Sequence, residues 1–336
     1  MRTVRQMIEL SFEELLDRLE IPADTLILFH RNPDADAVGS AFALKEILES
    51  LGSRAWCVCG DEIPQRLRFL TFDQQSSVLP VAIPEDFAPT RVISVDTASP
   101  AQMGTLWETC GDKVDLMIDH HATGEAYADF YIASQAAATG EIMFDVVKHF
   151  ATEGLMTITD SICTCLYAAI SADTGGFQYS NVTPETHQRA AELVASGIDC
   201  ADINHRLFSS NSLKQLRAQA AGISNLNVFA DGKIAVVTFP YALKAALGLD
   251  DEHLDNLVEI ARSLAGVRVA IAIKQPGTDG IFRVSMRSQG SYDVAALCAT
   301  FGGGGHQKAA GCTLTAADVN EAMQKIISAI DFIDLD

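Results

Sequence analysis

In the stretch Leu26-Ile27-Leu28-Phe29-His30-Arg31-Asn32-Pro33-Asp34-Ala35-Asp36-Ala37-Val38-Gly39-Ser40, four apolar residues lead into a turn bearing one imidazole and two carboxylates. The residues that follow, 41–51, repeat their apolar positions at helical spacing. A continuous apolar run marks a strand buried on both faces of a parallel sheet. The turn therefore joins a buried strand to a helix, and in open α/β sheets ligands bind at such turns, at the carboxyl ends of the strands. Pro33 fixes the local backbone, and Asp34 and Asp36, two positions apart, can reach neighbouring points from one loop. A histidine with two carboxylates is a mixed nitrogen and oxygen donor set, suited to a borderline-hard divalent ion such as Mn2+. The same carboxylates could instead cap the helix through its free N–H groups. This turn alone leaves both readings open.

Working outward, the pattern recurs. Residues 54–59 read as a second strand, and 65–79 as a short helix with a connecting strand. The run 91–96 is a strand ending in Asp96, and 114–118 is another, followed by Asp119-His120-His121. Carboxylates or imidazoles thus arrive at the carboxyl ends of several strands, which helix capping explains poorly. Residues 133–150 and 157–170 are helical patterns, the second leading into Asp173-Thr174-Gly175-Gly176. A carboxylate at a helix C-terminus is unfavourable beside the macrodipole, so Asp173 calls for a compensating cation. Residues 1–21 alternate apolar and charged positions as an amphipathic helix does.

The composition, 48% hydrophobic and 20% charged over 336 residues, is that of an ordinary globular chain able to bury a sizeable core. No run approaches the roughly 18 consecutive apolar residues of a membrane span, and the expected location is the cytoplasm. The cysteine pairs Cys57/Cys59 and Cys163/Cys165 sit in apolar segments with C-x-C spacing, which favours buried thiols over a structural zinc site. A net charge of −20 repels long polyanions. It argues against a binder of long DNA or RNA, while a small phosphorylated substrate stays compatible, because metal ions and arginines can reverse the field in one cleft.

Residues 184–221 are polar and helical, with helices expected at 199–208 and 212–221. Asp231-Gly232 between apolar runs signals a hairpin, so a second domain is expected from about residue 223. It would contain a helix at 254–261, strands at 267–273 and 281–286, and helices at 293–301 and 316–330. The expected fold is α/β: a catalytic domain over 1–195 with a mainly parallel sheet flanked by helices, a helical linker over 196–222, and a smaller α+β domain over 223–336. No internal repeat is visible.

In β alternation Arg283, Ser285 and Arg287 share one face, with Ser288 at the end of the strand, and arginine offers planar donors for bidentate phosphate contact. The run Gly302-Gly303-Gly304-Gly305 could be a plain tight turn. It could also present backbone N–H groups to phosphate oxygens, a reading strengthened by His306 and Lys308 directly after it.

His30-x-x-x-Asp34-x-Asp36, the strand-terminal Asp96, the triplet Asp119-His120-His121 and Asp173 together resemble, in order and spacing, the N-terminal motifs of the DHH phosphoesterases. Gly302-Gly303-Gly304-Gly305-His306-Gln307-Lys308-Ala309-Ala310-Gly311 is similar to the mark of the DHH-associated C-terminal domain. The resemblance spans nearly the whole chain. It implies two divalent ions, Mn2+ first and Mg2+ or Co2+ as alternatives. One would be held by His30, Asp34 and Asp96 and the other by Asp36, Asp96, His120 and Asp173. It further implies that Asp119 orients the site and that His121 faces the scissile phosphate, unless His121 is simply a core histidine. Arg283, Ser285, Arg287, Ser288, Gly303, Gly304, Gly305, His306 and Lys308 are the candidate substrate-binding residues.

Among two-domain members the chain looks most like the group that degrades very short oligoribonucleotides and removes the 3′-phosphate of 3′-phosphoadenosine 5′-phosphate (pAp). The implied substrates are short oligoribonucleotides, linear dinucleotides such as pApA, and phosphorylated nucleotides, with no long DNA and no membrane, and with a homodimer as an option. Alternatives are a cyclic-dinucleotide phosphodiesterase, an inorganic pyrophosphatase, and a nucleotide-binding regulator that keeps the fold without the chemistry.

Overall fold

The computed structural model describes residues 7–330 except 73, 75 and 79–81. These residues form two compact units, Met1–Ser210 and Asn211–Asp336.

The first unit opens with α1 (Phe12–Glu20), whose N-cap Ser11 exchanges hydrogen bonds with Glu14 in a capping box. Then follow β1 (Asp24–Leu28), α2 (Ala35–Ser50), β2 (Arg54–Val58), β3 (Arg91–Val95), α3 (Thr105–Cys110), β4 (Leu116–Asp119) and β5 (Asp129–Ile132). The helices α4 (Thr139–Thr152), α5 (Asp160–Asp173), α6 (Pro184–Ala195) and α7 (Cys200–Asn204) complete it. All five strands are parallel, in the order β2-β1-β3-β4-β5. Each carries a nearly continuous run of buried residues because helices cover both faces. The order reverses direction between β1 and β3, and such a switch point opens a crevice beyond the strands' carboxyl ends.

The expected α/β class and parallel sheet stand, with boundary differences that have physical causes. The helix after His30 starts at Ala35, earlier than the apolar repeat from 41 indicated, because Asp34 caps it by accepting from the Ala37 N–H at 3.0 Å. Residues 129–132 form an edge strand, so the helix expected from 133 begins instead at Thr139. The helix expected at 157–170 runs from Asp160 to Asp173, which becomes its last residue. The six residues Gln65–Leu70 form a 3-10 helix, while residues 73, 75 and 79 of the expected connecting strand lie outside the described residues. Residues 1–6 of the expected first helix do so too.

The expected linker, 196–222, contributes to each unit: α7 packs on α5 in the first, whereas α8 (Leu213–Ser224) packs on β7 and α10 in the second. The second unit continues with β6 (Leu226–Phe229), β7 (Ile234–Phe239), α9 (Tyr241–Ala246), α10 (Leu257–Arg262), β8 (Val269–Lys274), β9 (Ile281–Ser288), α11 (Val294–Ala299), β10 (Gly304–His306), β11 (Ala309–Thr315) and α12 (Val319–Ala329). Its sheet order is β10-β11-β9-β8-β7-β6, with only β7 and β8 parallel. Alternate residues of β9 divide the faces. Phe282, Val284 and Met286 enter a core with residues of α11 and α12, while Arg283, Ser285 and Arg287 turn to the other side. The β10–β11 hairpin carries the glycine run, which was not read as a strand because glycine lacks the side chains that mark one.

Candidate active site

At the switch point, β1 delivers His30 and β3 delivers Asp96, with the imidazole Nε2 3.6 Å from Asp96 Oδ2 and 3.7 Å from Asp34 Oδ1. Asp96 follows β3 with φ +50, a left-handed conformation uncommon outside glycine, so its backbone is strained where its carboxylate is aimed. From the next strand, β4, comes His120. Its Nε2 lies 3.7 Å from Asp96 Oδ1, 3.7 Å from Asp36 Oδ2 and 3.3 Å from Asp173 Oδ2. Two donor groups result, His30, Asp34 and Asp96 on one side and Asp36, His120 and Asp173 on the other, with the two oxygens of Asp96 divided between their histidines.

The tautomers decide what this arrangement accepts. His30 Nδ1 sits 2.8 Å from the carbonyl of Arg31, and His120 Nδ1 sits 3.2 Å from the carbonyl of Ala136. A carbonyl can only accept, so each ring carries a proton on Nδ1 and, when neutral, directs its Nε2 lone pair at carboxylates. Lone pairs facing carboxylates require protons or a cation between them. This is the donor chemistry of a divalent metal centre.

Electrostatics tell the same story. Burial foremost, with the Asp96 carboxylate, pushes Asp36 up to about 7, and burial with Asp36, Asp34 and Asp96 holds Asp173 well above the usual carboxylate range. Burial would lower His30, yet Asp34 and Asp96 outweigh it and raise the imidazole well above its ordinary value. Burial also opposes the ionised form of Asp96, but His30, His121 and His120 together hold it low. The cluster is therefore crowded with negative charge that protons only partly offset.

Asp36 is buried inside the first turn of α2, where Ser40 Oγ donates to it at 3.0 Å. The N–H groups of Thr139 and Gly140 donate to its two oxygens at 2.7 and 2.9 Å, while Thr139 Oγ1 donates to Asp96 at 3.0 Å. The N-terminus of α4 thus grips the cluster from behind. Sequence reasoning missed Thr139 and Gly140 because the helix was expected to start at 133, which buries them mid-helix. A Thr-Gly pair at a true helix start is the signal that was available.

The triplet behaves differently from the expectation that Asp119 backs a ligating histidine. Asp119 Oδ1 accepts from the N–H groups of His120 and His121 at 2.8 and 3.3 Å, and its side-chain partner is His121 Nδ1 at 2.7 Å. His120 is instead backed by the Ala136 carbonyl. His121 is partly exposed beside the cluster, with Nδ1 3.8 Å from Asp96, rather than a fully buried core residue. Asn181 Nδ2 donates to the carbonyls of Asp173 and Ala137, joining the end of α5 to the loop before α4.

In the second unit, Arg283, Ser285 and Arg287 do share one face. Arg283 reaches Asp251 at 3.4 Å, and Arg287 lies 3.7 Å from Glu259. Three other candidates are committed within the fold. Ser288 is buried and donates to the Tyr292 carbonyl at 2.7 Å, because alternation turns it to the face opposite the arginines. Lys308 donates to the same carbonyl at 3.2 Å, and the Gly303 N–H donates to the Cys298 carbonyl at 2.9 Å. Gly304 and Gly305 pair with Gly311 and Ala310 in the hairpin, and His306 pairs with Ala309.

Comparison with known proteins agrees with this description. The model of the DHH family N-terminal domain matches residues 24–170, and that of the DHHA1 domain matches 231–331. The chain belongs to the DHH family, in the form that carries a DHHA1 domain. It is 29% identical, over 94% of its length and 91% of the relative's, to the bifunctional oligoribonuclease and PAP phosphatase NrnA of Thermus thermophilus. It is 23% identical to the cyclic-di-AMP phosphodiesterase PdeA of Listeria monocytogenes, an alignment that takes in 98% of this chain and 50% of that protein. The fold is shared with an exopolyphosphatase-related protein from Bacteroides fragilis, at TM-score 0.82 and 21% identity over 96% of this chain and 95% of that one.

Proposed function

We propose that the chain is a two-metal phosphohydrolase that cleaves short oligoribonucleotides and linear dinucleotides such as pApA to mononucleotides and removes the 3′-phosphate of pAp. The observation that carries the reading is Asp96, whose two carboxylate oxygens lie 3.6 and 3.7 Å from the Nε2 atoms of His30 and His120. One carboxylate between two nitrogen and oxygen donor groups is the requirement for a pair of divalent ions. His30, Asp34 and Asp96 would hold one ion, and Asp36, Asp96, His120 and Asp173 the other. His30 and His120 favour Mn2+, with Co2+ next, over Mg2+, which takes imidazole poorly. Such ions, when bound, offset charge on phosphoryl oxygens and acidify water.

The chain's own groups have distinct tasks in this reading. Thr139, Gly140 and Ser40 keep Asp36 and Asp96 oriented. Asp119 fixes His121 with its proton on Nδ1, which leaves Nε2 as the ring atom that holds or donates a proton to a phosphate oxygen or leaving group. The second unit supplies, through Arg283, Ser285 and Arg287, a grip on the substrate's phosphate end. The similarity to NrnA along the full length of both chains supports the short-nucleotide substrates.

A second reading, cleavage of cyclic dinucleotides, is favoured by the likeness to a cyclic-di-AMP phosphodiesterase over 98% of this chain. Turnover with Mn2+ on pAp, pApA, longer 5′-labelled RNA, cyclic-di-AMP and pyrophosphate separates these readings. The expected order places pApA and pAp first. A preference for long RNA, cyclic-di-AMP or pyrophosphate overturns it.

A further inference from the structure

β8 ends in a lysine after five buried residues, Val269 to Ile273. Lys274 stands opposite Arg283 on β9, and Arg283 stands opposite Thr313 on β11. The next row on the same face is Ala272, Ser285 and Gly311, and the row after it is Ala270, Arg287 and Ala309. This face is a floor of small residues with a cationic row at each end.

The charged groups around it are unevenly paired. Asp251 is taken by Lys244 at 2.6 Å and by Arg283 at 3.4 Å, and Glu259 by Arg262 at 3.0 Å with Arg287 at 3.7 Å. Asp255 adds a third carboxylate near Lys274. Among the described residues Lys274 itself makes no hydrogen bond and no ion pair, although it is partly buried. Burial draws its amine down; Asp255 and Asp251 pull the other way, and Arg283 and Arg287 add to the lowering. A partly buried lysine held beside two arginines is favourable only when an anion answers it.

We propose that Lys274 is a further substrate-binding residue, forming with Arg283 an anion site that selects nucleotides carrying a terminal phosphomonoester. The proposal rests on the reading of the chain as a phosphohydrolase of short nucleotides. A terminal phosphomonoester is close to doubly charged at neutral pH, whereas an internal or cyclic diester carries one charge. Two cations of different shape, a planar fork and a point charge, match the former. The site thus discriminates pApA from ApA and from cyclic dinucleotides by charge at one end.

The test compares wild type, K274M, K274Q and K274R on pApA, ApA and cyclic-di-AMP with Mn2+, together with calorimetric titration of AMP. The wild type is expected to prefer pApA over ApA. K274M and K274Q should raise KM for pApA about tenfold or more with kcat unchanged, leave ApA unchanged, and weaken AMP binding by the same factor, while K274R restores part of each loss. Equal losses on pApA and ApA, or no change in KM and AMP affinity, overturn the role of Lys274. If the wild type turns over none of these nucleotides, the proposed function fails instead. The AMP titration then still decides the lysine, since equal binding by wild type and K274M or K274Q refutes it.

Discussion

At the scale of single residues, Asp96 carries the most weight, because it alone stands between both donor groups. Asp96→Ala is expected to give a folded protein that holds no Mn2+ pair and loses more activity than the roughly 10–100-fold typical of losing a group behind the ligands. Calorimetric Mn2+ stoichiometry and pApA turnover check this, and a variant that keeps both would refute the bridging role. The titrating groups also predict a pH dependence. Asp36, ordinarily near 3.8, titrates at about 7 in the metal-free fold, so between those values the folded chain holds a proton that the unfolded chain has released. Stability must therefore fall as pH rises through that window. His30 and His120 are raised, so their contribution is full below the ordinary 6.5 and is lost as pH climbs through their higher values, the same direction. Asp96 is lowered, so its contribution is present above 3.8 and lost only in stronger acid. The melting temperature in EDTA is expected to drop from pH 5 to pH 8, and Mn2+ should remove or reverse that slope because the ion replaces the protons. Parallel slopes with and without Mn2+ would contradict a metal centre in this cluster.

At the scale of elements, the site depends on how closely α2, α4 and α5 approach. A Cβ on Gly39 of α2 would come within 2.4 Å of the Cys165 carbonyl on α5, and one on Gly140 of α4 within 2.6 Å of the Ala169 Cβ. Gly39→Ala should therefore push α2 off α5, costing about 1–3 kcal/mol as overpacking does. Thermal unfolding measures that loss, and an unchanged melting temperature would show that the helices have room. The same displacement moves Asp34 and Asp36, so Mn2+ affinity should fall with stability. The ends of elements were the less legible part of the sequence. The helix at 133 was placed six residues early because Asp129–Ile132 is a short edge strand whose mixed burial leaves no clean alternation. The glycine-rich β10 is defined only by pairing to β11.

At the scale of the whole molecule, each unit has cores of its own, in the first around α2, α4 and α5 and in the second on both faces of the six-stranded sheet. A fragment covering 211–336 is expected to fold alone, with a single cooperative unfolding transition and, if the cationic floor is intrinsic, AMP binding within a few-fold of the full chain. A fragment without cooperative unfolding would show that its cores do not suffice. The net charge of −20 fits the proposal that short substrates are preferred, since a chain so acidic offers no long cationic track for a nucleic-acid backbone.

The sequence by itself determined the class of fold, the strands that carry His30, Asp96 and His120, and the residue types of the metal-site candidates. A parallel strand buried on both faces must be continuously apolar, and polar chemistry can begin only where it ends. Tertiary structure alone decided which of these groups meet, because the 2-1-3 strand order that brings His30 and Asp96 together is set by pairings between distant segments. It also decided that Asp34 both caps α2 and faces His30, that Asp119 serves His121 while a carbonyl serves His120, and that Ser288 and Lys308 turn inward. Such partners are chosen by distance across the fold, and spacing along the chain does not encode distance.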